Sequence, residues 1–184
     1  MSAPPTLSTT LIPAARVLLR PAREADRAGI VEIMTDPEVR TYLGGPRPRA
    51  KVESFLDAHG VAAATGPGSY VVADPETDRF LGTLTLDRRD PERPGHVTEA
   101  GWELELSYVL RRFVWGAGPA CEAATAALRA AAAELPDRPV LVVTQTANER
   151  SLRLASRLGF ETAGTFEEFG AQQTLAVAAL GEWA

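Results

Sequence analysis

A chain of 184 residues with a mass of 19.7 kDa is long enough for one domain and short for two separate cores. Hydrophobic residues make up 45% of the chain and charged residues 23%, a composition that argues against a disordered protein. The net charge of -5 at pH 7 argues against general nucleic-acid binding, because that activity requires a basic face to neutralise phosphates.

Cysteine and histidine content restricts the chemistry further. Cys121 is the only cysteine, so no intrachain disulfide can form, and His59 and His96 are too few for a cysteine–histidine zinc site. We therefore expect no metal. The N-terminus lacks a basic segment followed by an apolar stretch, and no apolar run is long enough to cross a membrane. These features predict a cytoplasmic protein without a membrane partner.

The N-terminal segment comes before the first regular element. Residues 1–14 are rich in Pro, Ser and Thr without a hydrophobic period, which predicts a flexible arm ahead of a domain at 15–184. A short apolar strand over 16–20 ends at Pro21, and apolar residues recur at helical spacing over 23–34. The domain is thus expected to begin with a strand and a helix.

The next stretch predicts a second helix and a hairpin. Glycines and prolines place 41–49 in a loop, and 51–61 follows as a helix with one apolar side. The β-rich runs 69–73 and 80–86 flank a turn-rich link of hairpin length. We expect two antiparallel strands here.

The strand predicted over 101–110 separates apolar from acidic side chains. It follows the polar, proline-rich loop 87–96. Apolar residues at its even positions alternate with Glu103, Glu105 and Ser107 at odd positions. One face of this strand therefore carries two carboxylates.

The C-terminal part predicts a parallel crossover and a closing hairpin. The alanine-rich run 118–134 favours a helix, and the continuous apolar run 140–144 suits a buried strand. A short helix over 148–158 precedes two closing strands, 161–169 and 174–180. The order β-α-α-β-β-β-α-β-α-β-β predicts a single α/β (α+β) domain built on a mixed sheet.

Two glycines follow the 101–110 strand and open the next helix. Gly116 and Gly118 let the backbone approach a ligand closely, and the unpaired N–H groups of the first helical turn favour a phosphate. Pro119 suits that turn because the N–H that it lacks would have no intrahelical partner. Arg111 and Arg112 lie just upstream and are candidates for charge-assisted phosphate contacts. The pattern indicates an anion site, with a simple tight turn as the alternative; a Rossmann fingerprint fits less well because its third glycine is missing.

Two motifs, in this order, resemble those of the GNAT acetyltransferases. The run 115–120 reads WGAGPA and is similar to the W-G-x-G-x-A form of that family's acetyl-CoA pyrophosphate loop. The run 148–161 reads NERSLRLASRLGFE and is similar to the branch that acetylates N-terminal amines of ribosomal proteins. The stretches 18–21 and 36–39 also look like that branch. The resemblance covers about residues 16–180 and implies a GNAT fold, a mixed and mostly antiparallel sheet flanked by helices.

The resemblance implies how acetyl-CoA, the co-substrate, binds. In the family two central parallel strands splay apart, and the pantetheine arm enters the gap like an extra strand. Main-chain N–H groups of 108–110 would then polarise the thioester carbonyl. Asn148 would reach the pantetheine arm, with a helix N-cap as its alternative role. The coenzyme-binding residues implied in this way are Tyr108, Val109, Leu110, Arg111, Arg112, Trp115, Gly116, Ala117, Gly118, Pro119, Ala120, Asn148 and Ser151.

The acid and the base of the transfer are predicted separately. Glu105 is the first candidate for the base that prepares the amine, with Glu103 and Glu168 as alternatives and a surface role open for each. Many family members place a tyrosine four residues before the glycine of the Gly-Phe motif as the acid, but this chain has Ala155 there. The resemblance implies Ser151 as the replacement; its alternative is a serine that only bonds backbone at the helix start.

The acceptor is predicted to be a primary amine, with a peptide or protein N-terminus ranked first. An α-amine has a pKa near ~8, against ~10.4 for lysine, so its deprotonation demands less of a base. The loops 41–49 and 87–96 are expected to border the acceptor cleft, and the acidic residues within 103–105 and 167–168 to favour a cationic acceptor. Polyamines and aminoglycosides are alternatives, as is a domain that binds acyl-CoA without turnover. A homodimer is compatible with the sequence.

Overall fold

Strands form the framework of the protein, whose structure is a computed structural model that describes residues 4–136 and 138–184. In chain order the strands of this part are β1 (Ile12–Pro13), β2 (Leu18–Arg20), β3 (Ser69–Ala73), β4 (Phe80–Arg88), β5 (Leu104–Leu110), β6 (Pro139–Gln145), β7 (Glu161–Glu168) and β8 (Ala171–Ala179). They form one sheet in the order β1-β2-β3-β4-β5-β6-β8-β7. Every neighbouring pair is antiparallel except β5 and β6.

Helices cover both faces of the sheet. They are α1 (Arg27–Thr35), α2 (Arg49–His59), α3 (Pro119–Glu134) and α4 (Glu149–Leu158), with short 3₁₀ turns at Glu24–Asp26, Val61–Ala64, Arg112–Val114 and Leu180–Trp183. None of the described helices is long and apolar enough to span a membrane.

The buried residues form two clusters, one on each face of the sheet. The larger cluster includes Ala123, Ala127 and Leu128 of α3, whose small side chains let this helix lie close to the strands. The smaller cluster joins α1 and α2 to the opposite face, and there Gly29 packs directly against the ring of Phe80. A side chain at Gly29 would collide with that ring, so the glycine permits the close approach of α1 to β4.

The parallel strands β5 and β6 separate soon after they meet. Each strand has seven residues, but they pair only at Leu104 with Val140 and at Glu105 with Leu141. Beyond these pairs the two strands no longer pair, and the region between their last residues is here called the opening. Backbone groups that leave a ladder need other partners, so these strand edges can receive a ligand that runs like a strand.

The observed architecture confirms the predicted single-domain α/β (α+β) fold with a mostly antiparallel mixed sheet and a splayed parallel pair. The strand expected over 69–73 has the predicted bounds, and α3 begins one residue after the predicted start. In contrast, β5 begins at Leu104, three residues later than expected, because Glu103 bonds to a preceding loop instead.

The segment before β2 packs along the domain over its described residues. Leu7 is fully buried, and the backbone N–H groups of Ser8 and Thr9 donate to the Glu134 carboxylate at the end of α3. Tyr70 donates its hydroxyl hydrogen to the Thr9 carbonyl. Part of the segment predicted as an arm thus contributes to the core, while its residues 1–3 lie outside the described residues. The domain boundary near residue 14 stays a prediction.

Candidate active site

A turn over residues 115–118, here called the glycine turn, leads from the opening into α3. Gly116 and Gly118 have φ angles of 78° and 95°, left-handed conformations that favour glycine. Pro119 is the first residue of α3, and N–H groups in a first helical turn have no intrahelical acceptor. This backbone geometry is the one that an anion site at a helix N-terminus requires.

Arg16 brings a positive charge to the glycine turn. Its Nη1 donates to the Ala117 carbonyl at 3.1 Å, and its Nε donates to Glu122 in the first turn of α3 at 2.8 Å. A Cβ added to Gly118 would lie 2.9 Å from Arg16 Nη2, so the guanidinium lies against the turn itself. The Arg16 side chain remains 63% exposed and is therefore free to contact a ligand as well.

Arg111 and Arg112 direct their charges toward α1. Arg111 donates through Nε and Nη2 to the two carboxylate oxygens of Glu32. Arg112 donates to Asp36 at 2.8 Å and to Glu38 at 2.7 Å. Both guanidinium groups are thus paired with carboxylates, and their predicted phosphate contacts stay a prediction that requires these pairs to open.

Trp115 links the end of β5 to the start of α4. Its indole Nε1 donates to the Leu110 carbonyl at 2.9 Å, and the Arg150 guanidinium lies 4.2 Å from the ring centroid. Such a cation–π contact contributes about 0.5–1 kcal/mol at an exposed site. Trp115 therefore holds the glycine turn in a defined place beside the opening.

A group of polar side chains, here called the hydroxyl cluster, connects the two sides of the opening. It consists of Tyr108 from β5, Thr144 from β6, and Asn148 and Ser151 at the start of α4. The Tyr108 hydroxyl donates to Ser151 Oγ at 3.2 Å, and Asn148 Nδ2 donates to Ser151 Oγ at 3.1 Å and to Thr144 Oγ1 at 3.0 Å. Burial is the largest influence on Tyr108 and raises the pKa of its phenol above the ordinary value.

Asn148 serves as the N-cap of α4. Its side-chain oxygen accepts from the Ser151 backbone N–H at 3.3 Å, as the alternative interpretation of this residue requires. The cap leaves the predicted contact with the pantetheine arm open, because the same side chain lies in the hydroxyl cluster at the opening.

Four charged side chains on the other face of β5 form what we call the carboxylate–arginine network. Arg89 donates to Glu105 at 2.7 Å and to Glu168 at 3.2 Å, and Arg93 donates to Glu168 at 2.8 Å. The Arg89 side chain is fully buried. Burial alone would raise the pKa of Glu168, but hydrogen bonds from Arg93 and Arg89 bring it below its ordinary value. Glu105 and Glu168, two base candidates, are therefore held as paired carboxylates.

Glu103 anchors the chain that leads into β5. Its carboxylate accepts from the Val97 and Thr98 backbone N–H groups and from the Thr98 hydroxyl, and the Nδ1 of His96 lies 2.6 Å away. Burial opposes ionisation, yet the bonds from His96 and Thr98 lower the pKa of Glu103 to about 2. A carboxylate of such low pKa is a weak base, so this alternative is the poorest of the three.

Glu105 and Tyr108 lie on opposite faces of β5. Side chains alternate along a strand, and these residues are separated by an odd number of positions. Accordingly, Tyr108 packs on the larger cluster beneath α3, whereas Val109 packs on the smaller cluster beneath α1. The predicted base and the predicted acid therefore flank the opening from different sides of the sheet.

Position 155 is where the sequence departs from the family pattern, and position 121 carries the single cysteine. Ala155 is buried and lies one helical turn after Ser151 on α4, so no tyrosine projects from that position. Cys121 is half-buried in the first turn of α3 and is a free thiol.

The two loops expected to border the acceptor cleft are each held by an arginine. Arg40 donates to the carbonyls of Leu43 and Gly45 within the loop before α2. Arg89 donates to the Pro94 carbonyl within the loop before β5, and so ties that loop to Glu105. The role of these loops in acceptor binding stays a prediction.

Three arginines of the site were missed in the sequence. Arg89 and Arg93 lie in a loop that was described only as polar and proline-rich, and Arg16 was assigned only to a short strand. Their carboxylate partners are 16 to 106 positions away along the chain, and neither a periodicity nor a local motif predicts pairs at such separations. For Arg89 and Arg93 the only available signal was that the loop 87–96 contains three arginines, the third being Arg88.

Known proteins resemble this chain in sequence and in fold. The model of the acetyltransferase (GNAT) domain family matches residues 16–161. A GNAT-family acetyltransferase from Bacillus anthracis has a TM-score of 0.75 at 18% identity, over 93% of this chain and 99% of its own. A spermidine N-acetyltransferase from Vibrio cholerae, solved with CoA and spermine, has a TM-score of 0.69 at 15% identity. The match covers 92% of this chain and 99% of that protein. RimL, a ribosomal α-N-protein acetyltransferase, has a TM-score of 0.68 at 15% identity. The match covers 96% of this chain and 99% of that protein. At these identities the similarity to solved structures shows the fold alone.

Proposed function

The chain belongs to the GNAT acetyltransferase family, and from that premise we propose that it transfers an acetyl group from acetyl-CoA to a peptide or protein N-terminal amine. The proposal places it with the branch that acetylates ribosomal proteins, in the cytoplasm, where both substrates occur. The family alone does not select this acceptor, because structural neighbours include both a spermidine and a ribosomal-protein acetyltransferase.

The observation that carries the proposal is that the carboxylate of every candidate base already accepts hydrogen bonds within the protein. Glu105 bonds to a buried arginine, Glu168 bonds to two arginines, and Glu103 has a pKa of about 2. The lowered pKa values of Glu103 and Glu168 make these two carboxylates weak proton acceptors, so the acceptor amine must lose its proton easily. An α-amine is about 2.4 pKa units less basic than lysine, which reduces the cost of deprotonation by about 3 kcal/mol.

The charge balance of the same face also favours a peptide over a polyamine. The sequence suggested an acidic side that would attract a cationic acceptor. In the structure, Arg89 and Arg93 match the charges of Glu105 and Glu168, and Glu103 is buried. Of the acidic residues on this side, only Glu167 is exposed on β7 without an ion pair among the described residues. Little unpaired negative charge remains there to hold a polycation, since a neutralised network exerts only a weak field beyond the Debye length of about 8 Å.

Each side of the opening contributes to the proposed transfer. The N–H groups of the glycine turn and Arg16 bind the coenzyme phosphates, and the edge of β5 receives the pantetheine arm. Main-chain N–H groups at 108–110 stabilise the oxyanion as the amine attacks the thioester carbonyl. Glu105 accepts the amine proton through a water, and Ser151 hydrogen-bonds to the departing sulfur. Turnover requires no metal in this scheme.

A comparison of single acceptors tests the acceptor class. Thiol release from acetyl-CoA is measured with a peptide that has a free N-terminus and no lysine, with the same peptide N-formylated and extended by one lysine, with spermidine and with an aminoglycoside. We expect rapid release only with the free N-terminus, and mass spectrometry should locate the acetyl group there. Release with spermidine or the aminoglycoside alone would contradict the peptide proposal while leaving family membership intact. Thermal stabilisation by coenzyme A without release for any amine would instead support a binding domain.

A further inference from the structure

We propose that Tyr108 is a positioning residue that directs the hydroxyl hydrogen of Ser151 toward the leaving sulfur. The inference rests on the proposed function, because it concerns the departure of the coenzyme thiolate. The sequence motif assigned Tyr108 to coenzyme binding through its backbone and gave its side chain no role.

The hydrogen bonds that Ser151 accepts leave only its hydroxyl hydrogen available for a further bond. Its oxygen accepts from the Tyr108 hydroxyl at 3.2 Å and from Asn148 Nδ2 at 3.1 Å. A serine hydroxyl has two acceptor lone pairs and one donor hydrogen, so both lone pairs are occupied. The hydrogen must then point away from Tyr108 and Asn148, and it is free to donate to a ligand in the opening.

Both donors to Ser151 are themselves fixed. Asn148 also donates to Thr144 on β6, and its side-chain oxygen accepts the Ser151 backbone N–H. Tyr108 packs its ring against the larger core cluster, and burial raises the pKa of its phenol, so it stays a neutral donor throughout the physiological range. A preorganised donor contributes more to a transition state than one that must be oriented during the reaction.

The position of Tyr108 compensates for the small residue on α4. Ser151 and Ala155 are four residues apart and therefore lie on the same side of that helix. Because Ala155 offers no hydroxyl, the phenol that reaches this place comes from β5 instead. The bond between Tyr108 and Ser151 joins two elements at the level where β5 and β6 no longer pair.

A double-mutant cycle tests whether Tyr108 acts through Ser151. The full-length protein is compared with Tyr108→Phe, Ser151→Ala and the double variant, in steady-state acetylation of the best acceptor found for the wild type. We expect Tyr108→Phe to lower kcat about tenfold without a matching rise in KM for acetyl-CoA, and to have no further effect once Ser151 is alanine. Tyr70→Phe is the matched control, because it removes another buried phenol whose hydroxyl bonds far from the opening, to Thr9. Its kcat should equal that of the wild type.

Each other outcome has a distinct meaning. If the effects of the two substitutions on kcat multiply in the double variant, Tyr108 does not act through Ser151 and the inference is wrong. The inference is also wrong if Tyr108→Phe changes only KM. If Tyr108→Phe does not fold, Tyr108→Met in the same cycle gives the answer, with folding checked by circular dichroism. If the wild type acetylates no amine, the proposed function fails together with the inference, whereas wild-type turnover with independent mutational effects overturns the inference alone.

Discussion

The two faces of β5 support the opening with opposite kinds of chemistry. On one face Glu105 belongs to a network in which full charges compensate each other and a fully buried arginine is the central member. On the other face Tyr108 and Ser151 belong to a cluster of neutral groups linked by hydrogen bonds near 3 Å. Charged networks are strong but fail when one member is lost, whereas neutral clusters orient a hydrogen with little effect on stability. Substitutions and pH should therefore affect the two faces differently.

Removal of Arg89 should give the largest effect. Arg89→Met leaves two largely buried carboxylates, Glu105 and Glu168, without their buried partner. Breaking a buried ion pair in this way costs about 3–5 kcal/mol. Urea unfolding followed by circular dichroism measures the loss, with Arg153→Met as control, because its exposed pair with Glu149 should change stability by less than about 0.5 kcal/mol. Equal stability of both variants would contradict a central role for Arg89.

Acid should weaken the charged face and leave the hydroxyl cluster unaffected. The pKa of Glu103 is about 2 in the folded protein, below the ordinary value of 4.5, so its stabilisation is complete above pH 4.5 and lost as the pH falls toward 2. We expect Glu103→Gln to cost about 2–3 kcal/mol at pH 7, and the difference from the wild type to shrink steadily below pH 4.5. Unfolding free energies at pH 7, 4 and 3 test this sign, and a difference independent of pH would contradict it.

The proposed function requires that the coenzyme first bind at the glycine turn. Gly118→Val forces a β-branched residue into a left-handed conformation and brings its Cβ within 2.9 Å of Arg16 Nη2. We expect coenzyme A to bind about 10- to 100-fold more weakly, measured by isothermal titration calorimetry. Gly60→Val is the control, because Gly60 also has a positive φ but follows α2, away from this turn. Equal affinities would place the phosphates elsewhere.

The smallest effect is expected for Glu105 itself. Its carboxylate is already hydrogen-bonded to Arg89, so we expect Glu105→Gln to lower kcat/KM only about fivefold at pH 7. The effect should fade toward pH 9, because an α-amine with a pKa near ~8 is mostly neutral there. Glu149→Gln, on the exposed start of α4, serves as control. A loss that persists unchanged to pH 9 would assign Glu105 a role other than base.

Local features of the fold and the site were predictable from the sequence. The glycine turn, the Asn148 cap and the register of the Ser151 helix each depend on residues within a few positions of one another. The alternation that places Glu105 and Tyr108 on opposite faces follows from strand geometry alone.

The direction of the arginine side chains was not predictable. Arg111 is a candidate for a phosphate contact from the sequence, and that contact stays a prediction; no sequence pattern indicated its bond to Glu32, 79 positions away. Arg89 joins Glu105 and Glu168, which come from strands on different sides of the opening. An arginine has many rotamers, and several carboxylates lie within its reach, so only the assembled fold decides which pairs form.

The brief contact between β5 and β6 has a mechanical consequence. Only two register pairs join a five-stranded half of the sheet to a three-stranded half, and we call this contact the seam. Acyl-CoA bound along the seam would hydrogen-bond to one strand edge and fill the space between the strands. Coenzyme binding would then stabilise the contact between the two halves of the sheet. At a coenzyme concentration 100 times the Kd, that stabilisation is worth about 2.7 kcal/mol. Slower hydrogen exchange at the amides of both halves, spreading outward from the seam on coenzyme addition, would be its signature.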